Sequence, residues 1–248
     1  MTRAEPVTYP AFTIAFQPIV DVNTDCSVFA YEALVRGPEG ESASSVLESV
    51  PTDQSRAFDL KLRQRAIALA HSLSLDSCLS LNLSPSVMND PRYGIRSTLQ
   101  FAGEFGFSPR RLIFEMTERE PNDDFRMLRR QITFARNRGS RIALDDCGAG
   151  YNGLGTIVEL QPDIVKLDRL LIHKIDSDPA RSQVVSSLAD MCEKLGITLI
   201  AEGVETSLEA KALQNLGIRL MQGFLFGQPT VRDHSGPVAN SPMRTDSK

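Results

Sequence analysis

Six short apolar runs in this 248-residue sequence end on a side chain that can hold a cation, a proton or a charge. Phe29-Ala30-Tyr31 runs into Glu32, Leu79-Ser80-Leu81 into Asn82, and Leu112-Ile113-Phe114 into Glu115. Ile142-Ala143-Leu144 leads to the adjacent Asp145 and Asp146, Ile164-Val165 to Lys166, and Leu199-Ile200-Ala201 to Glu202. Taken singly, each has an ordinary explanation. An acid after a strand commonly caps a helix, Asp146 can cap a turn through Gly148 and Gly150, and Lys166 can snorkel to water. The repetition of one pattern asks for a common cause. Two like charges about 4 Å apart repel by about 4 kcal/mol at an effective dielectric near 20, so five carboxylates gathered in one place do not all stay ionised unaided. Hard divalent cations relieve that repulsion. Carboxylates with an amide oxygen suit Mg²⁺ or Mn²⁺ rather than zinc, and no His or Cys stands in the set. Two such ions sharing a carboxylate activate water and clamp a phosphoryl group; the adjacent Asp-Asp pair is a reasonable source of the bridge.

Something must bring these residues together. Strands are expected at Phe12–Pro18, Val28–Leu34, Cys78–Leu83, Arg111–Thr117, Ile142–Asp145, Ile164–Leu167, Ile197–Ala201 and Ile218–Met221. Amphipathic helices lie between them, with apolar stripes Phe58-Leu62-Ala66-Leu69-Leu73, Phe125-Leu128-Ile132-Ala135 and Val184-Leu188-Cys192-Leu195. Ser84 before Pro85 reads as an N-cap with proline at the first helical position, and Thr206 with Glu209 as a capping box. Eight strands with crossover helices predict a (β/α)₈ barrel, in which C-terminal strand ends converge on the catalytic face. The link from Pro18 to Val28 is too short for a crossover helix, so the fold class is a modified TIM barrel with an antiparallel first strand pair.

Composition sets the outer limits. A 42 % hydrophobic and 23 % charged chain of this length is globular, with a core that needs no staples. Lys and Arg number 27 against 31 Asp and Glu, and the net charge of −4 advertises neither a polynucleotide nor an anionic membrane as partner. The start, Met1 to Pro10, lacks the pattern of a signal peptide, and no run reaches the roughly 20 apolar residues of a spanning helix. Cys26, Cys78, Cys147 and Cys192 are scattered, which reads as free thiols in a reducing cytoplasm.

The motifs and their order resemble the EAL-domain cyclic di-GMP phosphodiesterases. The resemblance rests on Tyr31-Glu32-Ala33-Leu34-Val35-Arg36, Leu81-Asn82-Leu83-Ser84-Pro85 and Phe114-Glu115-Met116-Thr117-Glu118. Leu144-Asp145-Asp146-Cys147-Gly148-Ala149-Gly150-Tyr151, Lys166-Leu167-Asp168, Ala201-Glu202-Gly203-Val204-Glu205-Thr206 and Gln222-Gly223-Phe224 complete the series. It covers about Phe12 to Pro229, which gives a lead-in over 1–10, one domain over 11–229 and a polar, loose tail over 230–248. It implies hydrolysis of one phosphodiester bond of cyclic di-GMP to linear pGpG, with two metal ions per site. Glu32, Asn82, Glu115 and Asp145 would hold one ion; Asp145 would bridge to a second held by Asp146 and Glu202. Lys166 would hold the attacking water or hydroxide, and Glu202 would act as general base or orient the water. Gln17, Leu34 and Arg36 match positions that contact the nucleotide. Gln222 would support the water network around the metals, while Glu118, Asp168 and Glu205 would support the loop Asp146–Tyr151, which links the metal site to a homodimer contact. The chain reads as a stand-alone EAL protein, with any sensory or regulatory input on a separate protein.

This sequence departs from many relatives at Cys147, where Phe is frequent, at Ala149 for Thr, at Asn152 for Ser, at Gly37 for an aromatic and at Phe224 for Tyr. None of these is an inferred ligand. Two other readings stay open: a binding module that senses cyclic di-GMP or scaffolds a partner without turnover, and an enolising enzyme built on carboxylates, Mg²⁺ and a strand-end lysine.

Overall fold

In the computed structural model of the chain, residues 9–84, 87, 90, 92–117, 125–148 and 153–231 are described. The first two strands, β1 (Thr13–Asp21) and β2 (Ser27–Arg36), are antiparallel, as the short link requires, and the turn between them holds Asp25 and Cys26 at positive φ. From β2 onward the neighbours are parallel: β3 (Cys78–Asn82), β4 (Leu112–Thr117), β5 (Arg141–Cys147), β6 (Ile164–Leu167), β7 (Thr198–Ala201) and β8 (Leu220–Gln222). β1 closes the ring by pairing antiparallel with β8 as well as with β2. The irregularity is thus a single inverted strand in an otherwise parallel eight-stranded barrel.

Helices wrap the outside: α1 (Ala43–Glu48), α2 (Ser55–Ser72), α3 (Ile95–Glu104), α4 (Phe125–Arg136), α5 (Gly153–Leu160), α6 (Arg169–Ile172), α7 (Pro179–Leu195) and α8 (Ser207–Asn215). The capping box at Thr206 and Glu209 forms in both directions. α7 starts at Asp178, whose carboxylate accepts from Ala180 and Arg181 N–H ahead of a first-turn proline, and stops at Gly196 in the left-handed region. Pro85 of the expected Ser84 cap lies outside the described residues. None of the described helices is long and apolar enough to cross a membrane.

Two local expectations are corrected. On α7 the buried face runs through Val185 and Cys192, with Leu188 half-buried, while Val184 and Leu195 are exposed. Val185 and Cys192 are two turns apart, and Val184 lies about 100° round the helix from Val185. The chain after Pro229 does not become loose at once, because Thr230–Val231 form β9, antiparallel to Phe16 and Ala15 of β1. β8 pairs only with Ile19–Asp21 of that strand, so the backbone groups at Ala15 and Phe16 are open to a β-branched pair. Residues 232–248 lie outside the described part.

The core has two shells. Between barrel and helices pack large apolar clusters, one with Phe16, Phe58, Ile67, Leu79 and Phe114, another with Leu144, Leu167, Val185 and Leu213. Inside the barrel a smaller plug is made of Ile19, Ala30, Ile113, Ala143, Ile164, Ile200 and Leu220. That plug is the floor of the site.

Candidate active site at the barrel mouth

Strand side chains alternate between faces with period two, so the residue two beyond each plug residue also points inward. Those residues are Glu32, Glu115, Asp145, Lys166, Glu202 and Gln222 on the parallel strands or directly after them. β1 runs the other way, so its contribution, Gln17, comes two residues before Ile19. β3 adds Ser80 and Asn82, paired with Ile113 and Glu115 of β4. The alternation that fills the barrel floor therefore also delivers the polar layer above it.

Lys166 stands at the centre and is fully buried. Its Nζ lies 2.7 Å from Glu202 Oε1, 2.9 Å from Glu115 Oε1, 3.1 Å from Asp145 Oδ1 and 3.4 Å from Glu32 Oε2. Burial alone would lower its pKa, but the carboxylates of Asp145, Glu115, Glu202 and Glu32 outweigh that and hold it well above the ordinary lysine value. It stays an ammonium. One cation does not balance so many acids, and the excess appears as bound protons. Burial, with the charges of Glu32 and Asp145, overcomes Lys166 and pushes the Glu115 carboxyl up to about 8. Burial raises Glu202 well above its usual range too, with Asp145 and Glu32 adding to it against the pull of Lys166. Glu32 goes the other way: burial is outweighed by Lys166 and by hydrogen bonds from Gln222 and Asn82.

Those bonds fix Glu32 at both oxygens. Asn82 Nδ2 donates to Oε1 at 3.2 Å, and Gln222 Nε2 to Oε2 at 2.6 Å. Gln222 also donates to Gln17 Oε1 at 3.1 Å, and Gln17 to the Gly227 carbonyl at 3.1 Å. The next residue, Gly223, packs its backbone so tightly on Val204 that a Cβ there would sit 2.1 Å from the Val204 carbonyl oxygen. Only glycine lets the end of β8 pass.

The adjacent aspartates would ordinarily face opposite sides of β5. Leu144 pairs with Val165 and Cys147 with Leu167, so three steps on β5 match two on β6. The extra residue is a β-bulge, and Asp146 occupies it in the left-handed region at φ 56°. It thereby faces the site along with Asp145. Oxygens of Glu32, Glu115 and Asp145 lie within 4.8 Å of one another, and so do oxygens of Asp145, Asp146 and Glu202. The two groups share Asp145. Cys147, one residue on, is buried in the outer cluster beside Leu144 and Leu167 as a packed thiol.

The remaining expected residues divide. Leu34 and Arg36 stand on the same face of β2 as Glu32, nearer its C-terminal end and half-buried, with the Arg36 guanidinium donating to the Val35 carbonyl. Asp168 and Glu205 are not in the cluster. The Asp168 carboxylate caps α6 through Leu170 N–H at 2.8 Å, while its own N–H donates to the Cys147 carbonyl; Glu205 pairs with Arg169 at 2.6 Å on the surface. Glu118 and residues 149–152 lie outside the described residues. The structure adds one participant to the expected set. Ser80, fully buried, donates to Glu115 Oε1 at 2.5 Å; its signal was a polar residue two positions before Asn82 on an apolar strand.

Known proteins resemble this chain in sequence and in fold. The EAL domain family model matches residues 7–229. A standalone versatile EAL protein from Vibrio cholerae O395, solved in a c-di-GMP bound form, superposes with a TM-score of 0.84 at 38 % identity, over 91 % of this chain and 94 % of that one. Klebsiella pneumoniae BlrP1, solved as a manganese/cy-diGMP complex, gives a TM-score of 0.84 at 34 % identity, over 92 % of this chain and 58 % of that one. Among curated proteins, the probable cyclic di-GMP phosphodiesterase PdeG of Escherichia coli K12 is 31 % identical over 73 % of this chain, which spans 35 % of PdeG's length. The inverted strand, the ordered strand-end residues and the family match together make this chain a member of the EAL domain family.

Proposed function

We propose that this chain hydrolyses one phosphodiester bond of cyclic di-GMP, giving linear pGpG, with two divalent cations, Mg²⁺ or Mn²⁺, at the barrel mouth. The observation that carries the reading is the pair of carboxylate groups sharing Asp145 around one buried ammonium. The donor set fits hard cations, being oxygen throughout. Glu115 Oε2 is moreover buried with no hydrogen-bond partner, a costly state that a cation relieves. Glu32, Asn82, Glu115 and Asp145 would hold one ion, and Asp145, Asp146 and Glu202 the other. When bound, such ions lower the pKa of water and neutralise charge on a phosphoryl group.

The chain's own residues supply the rest. Lys166, kept charged by its carboxylate ring, orients the attacking water and offsets negative charge developing on the phosphoryl oxygens. Glu202, 2.7 Å from that ammonium, is placed to orient the same water and accept its proton. Gln222 and Asn82 hold Glu32 in one orientation. Gln17, Leu34 and Arg36 line the approach for the nucleotide, and the planar Arg36 guanidinium suits a phosphate or a guanine edge. The substrate assignment draws on the nucleotide named for the Vibrio and Klebsiella structures and on the activity named for PdeG.

The working form is a homodimer. Its support is apolar surface on the helices after β5 and β6: Leu154 and Val158 of α5 are 59 % and 71 % exposed, and Leu170 of α6 62 %. None of the four cysteines forms a disulfide, which fits a reducing cytoplasm, and a separate protein supplies any sensory signal. The test is incubation of the purified chain with cyclic di-GMP, with and without Mg²⁺ or Mn²⁺, and chromatography of the products. Metal-dependent pGpG is expected, reduced at least about 100-fold in Glu32→Ala. Tight nucleotide binding without product would replace this reading with a binding module.

A further inference from the structure

The inner face of the barrel carries one serine where its neighbours are apolar. Two residues before each polar mouth position, the parallel strands place Ala30, Ile113, Ala143, Ile164, Ile200 and Leu220; β3 places Ser80 two before Asn82. In the β3–β4 register Ser80 faces Ile113, one layer below the Asn82–Glu115 pair. A fully buried hydroxyl in such a layer costs stability unless it is hydrogen-bonded. Its side-chain partner is Glu115, reached across 35 residues of sequence at 2.5 Å.

The two oxygens of Glu115 are consequently unequal. Oε1 accepts from Ser80 and lies 2.9 Å from Lys166 Nζ. Oε2 is buried without a partner. Glu115 itself belongs to the group with Glu32 and Asp145. We propose that Ser80 is a positioning residue for cation binding: its hydroxyl clamps Glu115 Oε1 so that Oε2 is presented to a divalent ion together with Glu32 and Asp145. The clamp does for Glu115 what Asn82 and Gln222 do for Glu32. This role rests on the two-cation reading above and adds a determinant of affinity that touches neither ion nor nucleotide. Outer partners of metal-binding carboxylates typically change affinity by about 10- to 100-fold.

The experiment is Mn²⁺ binding to the metal-free full-length chain, by calorimetry and by the spin resonance signal of free Mn²⁺, without nucleotide. Ser80→Ala matches the apolar layer and is expected to fold with an unchanged circular dichroism spectrum and to bind the tighter Mn²⁺ about 10- to 100-fold more weakly. In a Glu115→Gln background the same substitution is expected to change affinity less than threefold, because the carboxylate it acts through is gone. A merely structural role of the hydroxyl would weaken binding equally in both backgrounds, and that result overturns the proposal. Wild-type affinity in folded Ser80→Ala overturns it too, while leaving the cation site intact. Failure of the wild-type chain to bind Mn²⁺ at all would instead remove the cation reading, and Ser80's role with it.

Discussion

Glu115 is where the electrostatics of the site are easiest to measure. Its folded carboxyl, held up at about 8 by burial and by the charges of Glu32 and Asp145, compares with about 4.3 in an unfolded chain. A group whose pKa is raised by folding stabilises the native state below its unfolded value, and that contribution is lost as pH rises towards its folded value. Glu202, also raised, acts in the same direction; Glu32, lowered, acts only below about pH 4.5. The metal-free protein is therefore expected to lose about 1 kcal/mol or more of stability between pH 5.5 and 7.5, read from urea midpoints in the presence of a chelator. A midpoint that rises across that window contradicts the assignment. The same protons must leave when a cation binds. Calorimetry of Mn²⁺ binding at pH 7 in buffers of different ionisation enthalpy should report net proton release.

At the scale of elements, the decisive feature is the bulge at the end of β5. It turns Asp146 to the side Asp145 faces, at the expense of a non-glycine residue at φ 56°. Asparagine tolerates that region nearly as well as aspartate, so Asp146→Asn should keep stability within about 0.5 kcal/mol while lowering the Mn²⁺ stoichiometry from two to one. A stoichiometry still at two would mean that Asp146 is not a ligand. The strand ends, the short first link and the capping box at Thr206 were legible because each depends on neighbours in sequence. The bulge was not, since it is an offset between β5 and β6 and no single segment encodes it. The same holds for Ser80, whose meaning comes from Glu115, and for β9, whose two residues find a partner only because β8 stops short on β1. On α7 the first buried position is Val185 rather than Val184, because both are apolar and only packing chooses between them. Asp168 caps α6 and Glu205 pairs with Arg169, contacts away from the cluster, and no single segment of sequence encodes the second.

For the whole molecule, a net charge of −4 describes the working protein poorly. Four carboxylates lie within 3.4 Å of the Lys166 ammonium, and two bound Mg²⁺ or Mn²⁺ ions would shift the local balance by +4. A mouth loaded with cations is expected to attract phosphates more strongly than a metal-free one, so nucleotide affinity should rise with divalent cation concentration. The exposed apolar side chains of α5 make a second claim at this scale. Val158→Glu places a charge on the proposed dimer face, and sedimentation at micromolar concentration is expected to show a monomer for the variant and a dimer for the wild-type chain. An unchanged sedimentation coefficient would move the contact elsewhere. In the proposed mechanism two carboxylate groups sharing Asp145 hold two cations over one phosphodiester. Anomalous diffraction at the manganese edge, from crystals grown with Mn²⁺ and cyclic di-GMP, tests it most directly. Two peaks are expected, both within ligand distance of Asp145 and on either side of it. A single peak, or two peaks that share no carboxylate, would contradict it.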